Sequence, residues 1–359
     1  MGRELGRIAR VCTVGVAFCV AASAAWGATE QAAGKPAQEA EKKEQPRREV
    51  FLKPKDAGPD FQVQGEYEGT MAPPAGAAAE AAGKLGVQVI ALGDGAFRAV
   101  FYPGGLPGAG WDAKAKVEVD GRTEGSPAAP DAADSAPTVF DGKGWTATVR
   151  DGLLTGRAAE GRPIEAKRVL RKSKSLGEEP PEGAVVLFDG TGVDGWQGGR
   201  MDERKLLSVG TTSKRRFGNF KLHLEFMTPF MPYARGQARG NSGVYLPGGY
   251  EIQVLDSFAL EGRQNECGAI YGIAAPKVNM CLPPLCWQTY DVEFHAGVAD
   301  ESGSKVRDAA VTVWHNGVAV HKDLPLSRGG DWQQEVGPIF LQNHGNPVFY
   351  RNIWVVEAE

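Results

Sequence analysis

RGNSGVYLPGGYEIQVLDSF, residues Arg239–Phe258, sets two apolar strands on either side of a Pro-Gly-Gly turn, and the second strand carries Glu251, Gln253 and Asp256 among its hydrophobic residues. Side chains alternate between the two faces of a strand. Asn241, Gly243 and Tyr245 therefore share one face of the first strand, and Glu251, Gln253 and Leu255 share one face of the second. Asp256 joins them only if a bulge re-aims it. Carboxylates placed here are either solvated charges at a strand end or groups kept for chemistry, because burying an unpaired charge is costly.

The neighbouring segments alternate in the same way. In FKLHLEF, Phe220, Leu222, Leu224 and Phe226 share one face, with Lys221, His223 and Glu225 opposite; in TYDVEFHA, Tyr290, Val292 and Phe294 oppose Asp291, Glu293 and His295. VTVWHNGVAVHKD is a hairpin whose Asn316-Gly317 pair supplies the positive φ of a tight primed turn. IFLQNH brings Phe340, Gln342 and His344 to one face. No amphipathic helix of useful length is present. Many antiparallel strands with one apolar and one polar face predict an all-β chain ending in a two-sheet sandwich or jelly roll.

Upstream, VQVIAL (87–92), FRAVFY (97–102), KVEVDG (116–121) and WTATVRDG (145–152) are short strands separated by Gly, Pro and Asp turns, which predicts a smaller β-rich domain over 50–172. It has no His or Cys, and 126–137 is expected to be a surface loop. SKSLGEEPPEG, 173–183, is polar and proline-rich and is expected to be a linker to a domain over 184–359. Residues 28–49 are Ala, Gln, Glu, Lys and Pro-rich, which predicts a flexible tether. Before them, Arg3, Arg7 and Arg10 precede the apolar run Val11–Ala22 and then small residues, the pattern of an export signal ending near Gly27. That run is shorter than the roughly 20 residues a bilayer span requires. The expected destination is periplasmic or extracellular, with no membrane span.

The chain of 359 residues has a net charge of −4 and no large basic cluster, which argues against a nucleic-acid partner. Beyond the signal, only Cys267, Cys281 and Cys286 remain, so at most one internal disulfide can form. CLPPLC (281–286) is close enough for a small bridge that its two prolines would stiffen; packed small hydrophobes are the alternative. No Cys-x-x-Cys pair or spaced His completes a zinc site. No cofactor is indicated, and a structural divalent cation stays open.

LFDG followed by Trp196, NSGVY at 241–245, GYEIQVLD at 249–256, GAIY at 268–271, Trp287, and LQNHGNPVFYRNIWV at 341–355 together resemble the 3-keto-disaccharide hydrolase domain, whose fold is like that of concanavalin-type lectins and glucanases. The resemblance covers about 184–357. It departs at CWQTYDV, where the family usually has a Trp-Asn pair, and at KLLSVGTTSKRRFGNF, which replaces a Trp-containing strand. Glu251, Gln253 and Asp256 are also similar in spacing to the Glu-x-Asp-x-x-Glu strand of glucanases with this fold. The resemblance implies a small carbohydrate substrate, with Glu251, Asp256 and His344 as catalytic candidates. Asn241, Tyr245, Gln253, Trp287, His295, Gln342 and Arg351 are the binding candidates, since amides, phenol and imidazole bond sugar hydroxyls and aromatic faces stack on sugar rings. Arg351 is also a candidate ion-pair partner of Glu251 or Asp256. A C3 ketone acidifies the C2 proton, so elimination at C1 followed by hydration is one route; two-carboxylate displacement is the other. A noncatalytic sugar-binding module is the competing function class, because the fold serves both.

Overall fold

The computed structural model describes residues 48–76, 78, 82–125, 136–327, 330–331 and 336–358. The expected export signal, nearly all of the tether and most of the 126–137 loop lie outside the described residues. The described chain is almost entirely β, as the alternation predicts.

Eight antiparallel strands close into a barrel: β1 (Gly65–Met71), β2 (Gly83–Gly93), β3 (Ala96–Pro103), β4 (Val117–Thr123), β5 (Thr138–Gly142), β6 (Trp145–Arg150), β7 (Leu153–Arg157) and β8 (Pro163–Val169). β1 pairs with both β2 and β8, which leaves the barrel no free edge. Tyr67, Val87, Val89, Phe97, Phe101 and Phe140 fill its interior. The seam between β1 and β8 is tight: a Cβ at Gly69 would run into the backbone of Glu165 and Ala166.

Among the described residues fourteen further strands follow: β9 (Val185–Phe188), β10 (Trp196–Gln197), β11 (Leu207–Ser208), β12 (Thr211–Phe217), β13 (Phe220–Met227), β14 (Ser242–Tyr245), β15 (Glu251–Val254), β16 (Gln288–His295), β17 (Val298–Ala299), β18 (Lys305–Arg307), β19 (Ala310–His315), β20 (Val318–Pro325), β21 (Gly337–Leu341) and β22 (Phe349–Glu357). One sheet has the order β10-β12-β21-β14-β15. A second runs β11-β22-β13-β16-β19-β20, with β9 also paired to β22, and β17 and β18 pair separately. Phe220, Leu222, Leu224 and Phe226 of β13 and Tyr290, Val292 and Phe294 of β16 share one core with Val244, Ile252, Val254, Ile339 and Leu341 of the first sheet. The expected faces are those observed. β19 and β20 join through Asn316 (φ 52°) and Gly317 (φ 77°), the turn their sequence predicts.

Barrel and sandwich are packed on each other. Ile90, Val100 and Tyr102 of the barrel belong to the sandwich core, and Phe230 of the sandwich belongs to the barrel core beside Phe51 and Phe61. Arg239, 5% exposed, donates through Nε to Asp256 Oδ2 at 2.6 Å and reaches the Ala91 carbonyl of β2 at 3.3 Å and Gln64 Oε1 at 3.4 Å. Lys116 pairs with Glu261 at 2.7 Å across the same boundary.

The proline-rich segment after the barrel is not free chain, since its first half is strapped across the outer face of the second sheet. Ser173 Oγ lies 2.6 Å from Thr289 Oγ1, Ser175 Oγ donates to Asp291 Oδ2 at 2.6 Å, and the Gly177 N–H donates to Glu225 Oε1 at 2.6 Å. The Glu178 carbonyl accepts from Asn352 Nδ2 at 2.9 Å and Trp354 Nε1 at 3.3 Å. This strap turns the polar face of β13 into an interior. His223 is fully buried, 2.6 Å from Asp291 Oδ1 through Nδ1, and stacked on Trp354. Burial by itself disfavours the imidazolium, but hydrogen bonds to Asp291 and Glu225 and their charges outweigh it and carry the pKa up to about 9.

A group whose pKa is higher folded than unfolded stabilises the fold fully below its unfolded value and loses that stabilisation as pH rises through its folded value. His223 should therefore contribute on the order of 2–3 kcal/mol near neutrality. That contribution should disappear as pH rises from about 6.5 through about 9. Thermal melts from pH 6.5 to 10 should show a fall in Tm that is absent in His223→Gln. Parallel pH dependence in both proteins would assign the fall to other groups.

Candidate functional site

β14 and β15 are joined by a three-residue turn, Pro247–Gly249, whose two glycines adopt φ of 81°. The turn fixes the register: Tyr245 lies opposite Glu251 and Gly243 opposite Gln253. On the other flank of β14, Phe340 of β21 lies opposite Tyr245, and the Gln342 N–H donates to the Gly243 carbonyl. Ile252 and Val254 point into the core, so Tyr245, Glu251, Gln253, Phe340 and Gln342 all project from the outer face of the first sheet. On the far side of β15 the Tyr271 N–H donates to the Glu251 carbonyl at 2.9 Å, and its ring is 44% exposed.

Glu251 leans across Gly243, where a Cβ would collide with its Oε1, so any larger residue there would push the Glu251 carboxylate out of this position. Its Oε2 accepts from the Tyr245 hydroxyl at 2.8 Å, and Gln342 Nε2 donates to that same hydroxyl oxygen at 3.2 Å. Burial raises the Glu251 pKa; the Tyr245 hydrogen bond and the charge of nearby His344 oppose that rise without cancelling it. The result is a carboxylate held to be a stronger base than a solvated one. The Tyr245 phenol is pushed up by burial and then by its bond to Glu251, so it stays protonated and can act as a donor.

Around this pair runs a network of amides. Asn241 Nδ2 donates to the Gln237 carbonyl at 2.8 Å and to Gln237 Oε1 at 3.1 Å. Gln253 Nε2 donates to Gln237 Oε1 at 3.1 Å and to the Asn265 carbonyl at 3.3 Å. Those backbone acceptors fix which way each amide points. Asn241 Oδ1, Gln253 Oε1 and Gln342 Oε1 are left as buried acceptors without a protein partner. An unsatisfied buried acceptor costs about 1–3 kcal/mol, which an ordered water or a ligand hydroxyl would offset.

Five of the ten expected site residues are thus assembled on one face, Asn241, Tyr245, Glu251, Gln253 and Gln342, and His344 lies near enough for its charge to act on Glu251. The other four are elsewhere. Asp256 lies past the end of β15, 3% exposed, and is held by Arg239; no bulge re-aims it. His295 ends β16 in the second sheet, opposite Ala310. Arg351 does not pair with Glu251 or Asp256; it donates through Nε to Glu225 Oε2 at 2.6 Å, because β22 lies beside β13 in the second sheet. Its guanidinium stacks on Trp287 at 4.0 Å, which places Trp287 there as well. Two members of the site face were not expected: Gln237, which sits in a short 3-10 turn with no strand periodicity, and Tyr271, whose exposure depends on the edge next to β15.

Ligand atoms of Glu178, His223 and Asp291 lie within 4.8 Å of one another. The imidazole Nδ1 is committed to Asp291 and the ring is held protonated, a state that suits an ion pair rather than a metal ligand. A cavity of about 220 Å³ opens at the barrel–sandwich boundary between Trp111, Lys116, Leu260 and Lys277, and none of the Glu251 face lines it. No helix among the described residues is long and apolar enough to cross a membrane.

Two crystal structures, each described as a "putative glycosyl hydrolase" from Parabacteroides distasonis, are similar to half of this chain. One is 31% identical with 85% of its own chain covered and a TM-score of 0.45. The other is 19% identical with 95% covered and a TM-score of 0.38. Curated protein sequences give no match. The family model that matches is described as a 3-keto-alpha-glucoside-1,2-lyase-like domain and spans residues 183–356, the sandwich from β9 to the last residue but one of β22. Residues 183–356 are thus a 3-keto-alpha-glucoside-1,2-lyase-like domain.

Proposed function

We propose that the protein is an exported carbohydrate-active enzyme that cleaves the glycosidic bond of 3-keto-disaccharides or 3-keto-glycosides by elimination and hydration, with Glu251 as the base. The observation that carries this reading is Glu251, the one carboxylate among the described side chains named on the site face: it is desolvated, raised in pKa and backed by a protonated Tyr245. Direct displacement needs a second carboxylate flanking the bond. Asp256, the sequence candidate for that role, is neutralised by Arg239 at a different place.

In the proposed reaction the C3 ketone makes the C2 proton acidic, and Glu251 removes it. The C3 oxygen gains negative charge as the enolate forms, and donors such as Gln342 Nε2 or the Tyr245 hydroxyl stabilise it. The C1–O bond then breaks, and the departing oxygen takes a proton from Glu251 or His344. Water adds at C1 of the enone and a proton returns to C2, which gives net hydrolysis. The buried amide acceptors suit a ligand rich in hydroxyl donors, and Tyr271 offers an exposed ring for the apolar face of a sugar.

The test is incubation with a 3-keto-disaccharide and with its unoxidised parent in deuterium oxide, followed by mass analysis of the free sugars. Cleavage of the keto sugar alone, with deuterium at C2 of the product, is the expected result. Cleavage without deuterium would replace elimination by displacement. Binding of either sugar without any cleavage would make the protein a lectin-like module.

A further inference from the structure

The three cysteines of the described chain lie in two different surroundings. Cys286 is half-buried in the segment leading to β16. Cys267 and Cys281, 0% and 1% exposed, belong to the same sandwich core. Cys267 Sγ lies 3.2 Å from the Tyr290 hydroxyl, and Cys281 Sγ is 3.4 Å from the Leu255 carbonyl. Their backbones are tied to one short stretch: the Cys267 N–H donates to Ser257 Oγ, the Cys281 N–H to Asn279 Oδ1, and Asn279 Nδ2 to the Ser257 carbonyl. Each thiol also perturbs the titration of the other, as close neighbours in one enclosed space do. The pair suggested by spacing alone, Cys281 with Cys286, is not the pair the fold brings together.

From this juxtaposition we infer that Cys267 and Cys281 are a disulfide-forming pair that closes when the chain folds in the presence of a disulfide oxidant. One thiolate attacks a sulfur of the oxidant and displaces a thiolate from it. The second thiolate then attacks the mixed disulfide and releases the other half of the oxidant. Two cysteine thiols lose two protons and two electrons, and the oxidant's S–S bond becomes two thiols. Both sulfurs are sealed from solvent in the folded protein, so the exchange takes place while the chain is folding. The inference does not depend on the proposed reaction or on where the protein resides.

The bridge would act on the site face. Cys267 immediately precedes Gly268–Tyr271, whose backbone pairs with β15: the Gly268 N–H donates to the Gln253 carbonyl, the Gln253 N–H to the Ala269 carbonyl, and the Tyr271 N–H to the Glu251 carbonyl. Tying Cys267 to the 279–286 segment therefore restrains the edge that carries Tyr271 and backs Glu251.

Full-length protein is refolded from guanidinium in a glutathione redox buffer, quenched with acid, alkylated and digested. Protein purified from cells with a disulfide-forming cytoplasm is mapped in parallel, so the result does not depend on refolding yield. A linked Cys267–Cys281 peptide, two hydrogens lighter than the separate peptides, with Cys286 alkylated, is the expected result. Alkylation of both Cys267 and Cys281, or a Cys281–Cys286 link, overturns the inference. Closing a loop of about 15 residues should raise Tm by roughly 5 °C over the reduced protein. The shift should persist in Cys286→Ser and vanish in Cys267→Ser.

Discussion

Glu251→Gln should lower turnover of a 3-keto-disaccharide by roughly 10²- to 10⁴-fold, the usual worth of acid–base assistance, while the protein stays folded. Glutamine keeps the length of the side chain and still accepts from the Tyr245 hydroxyl, which stands 2.8 Å from Glu251 Oε2. It removes only the negative charge and the ability to take a proton. The parent's pH–rate profile gives a second readout. Burial raises the Glu251 pKa, so the acid limb should lie above the ordinary range of a glutamate, and it should be missing from the residual activity of the variant. A purely structural Glu251 predicts the reverse, with a lowered Tm and turnover per folded molecule within about threefold of the parent.

The same face shows how far the sequence could be read. Tyr245, Glu251, Gln253 and Gln342 were legible because strand alternation and a two-glycine turn place them on one side of adjacent strands. Asp256 was not, because its position is set by a partner 17 residues earlier in the chain, and period-two reasoning carries no information about ion pairs between connecting segments. Arg351 illustrates the same gap. Its distance from Glu251 depends on β22 lying beside β13 in the other sheet, a matter of sheet order. In the barrel, the strands VQVIAL and FRAVFY stood out by their β-branched and aromatic residues. PIEAKRV did not, since only Ile164 and Ala166 point inward between charged neighbours. The burial of His223 and Glu225 was hidden for a third reason: their face of β13 reads as solvated, and a strap from a polar, proline-rich segment covers it.

Asp256→Ala should be the most destabilising of the substitutions considered. Arg239 is 5% exposed and, among the described residues, its charged partner is Asp256; its other acceptors are the Ala91 carbonyl and Gln64 Oε1, both neutral. Removing the carboxylate leaves a buried positive charge uncompensated, which typically costs 3–5 kcal/mol, so about 3–5 kcal/mol is expected here. For a chain of this size that is a fall in Tm of roughly 5–10 °C. The loss should come with loosening of the barrel from the sandwich, because Arg239 reaches across to β2, and hydrogen exchange at Ala91 and its neighbours should speed up. Paired replacement with Asp256→Leu and Arg239→Met should recover much of the loss, since a buried ion pair is often matched by apolar residues of similar volume. Turnover per folded molecule should stay near the parent's in both proteins. A drop of a hundredfold or more in the stable double variant would return Asp256 to the reaction and with it the two-carboxylate route.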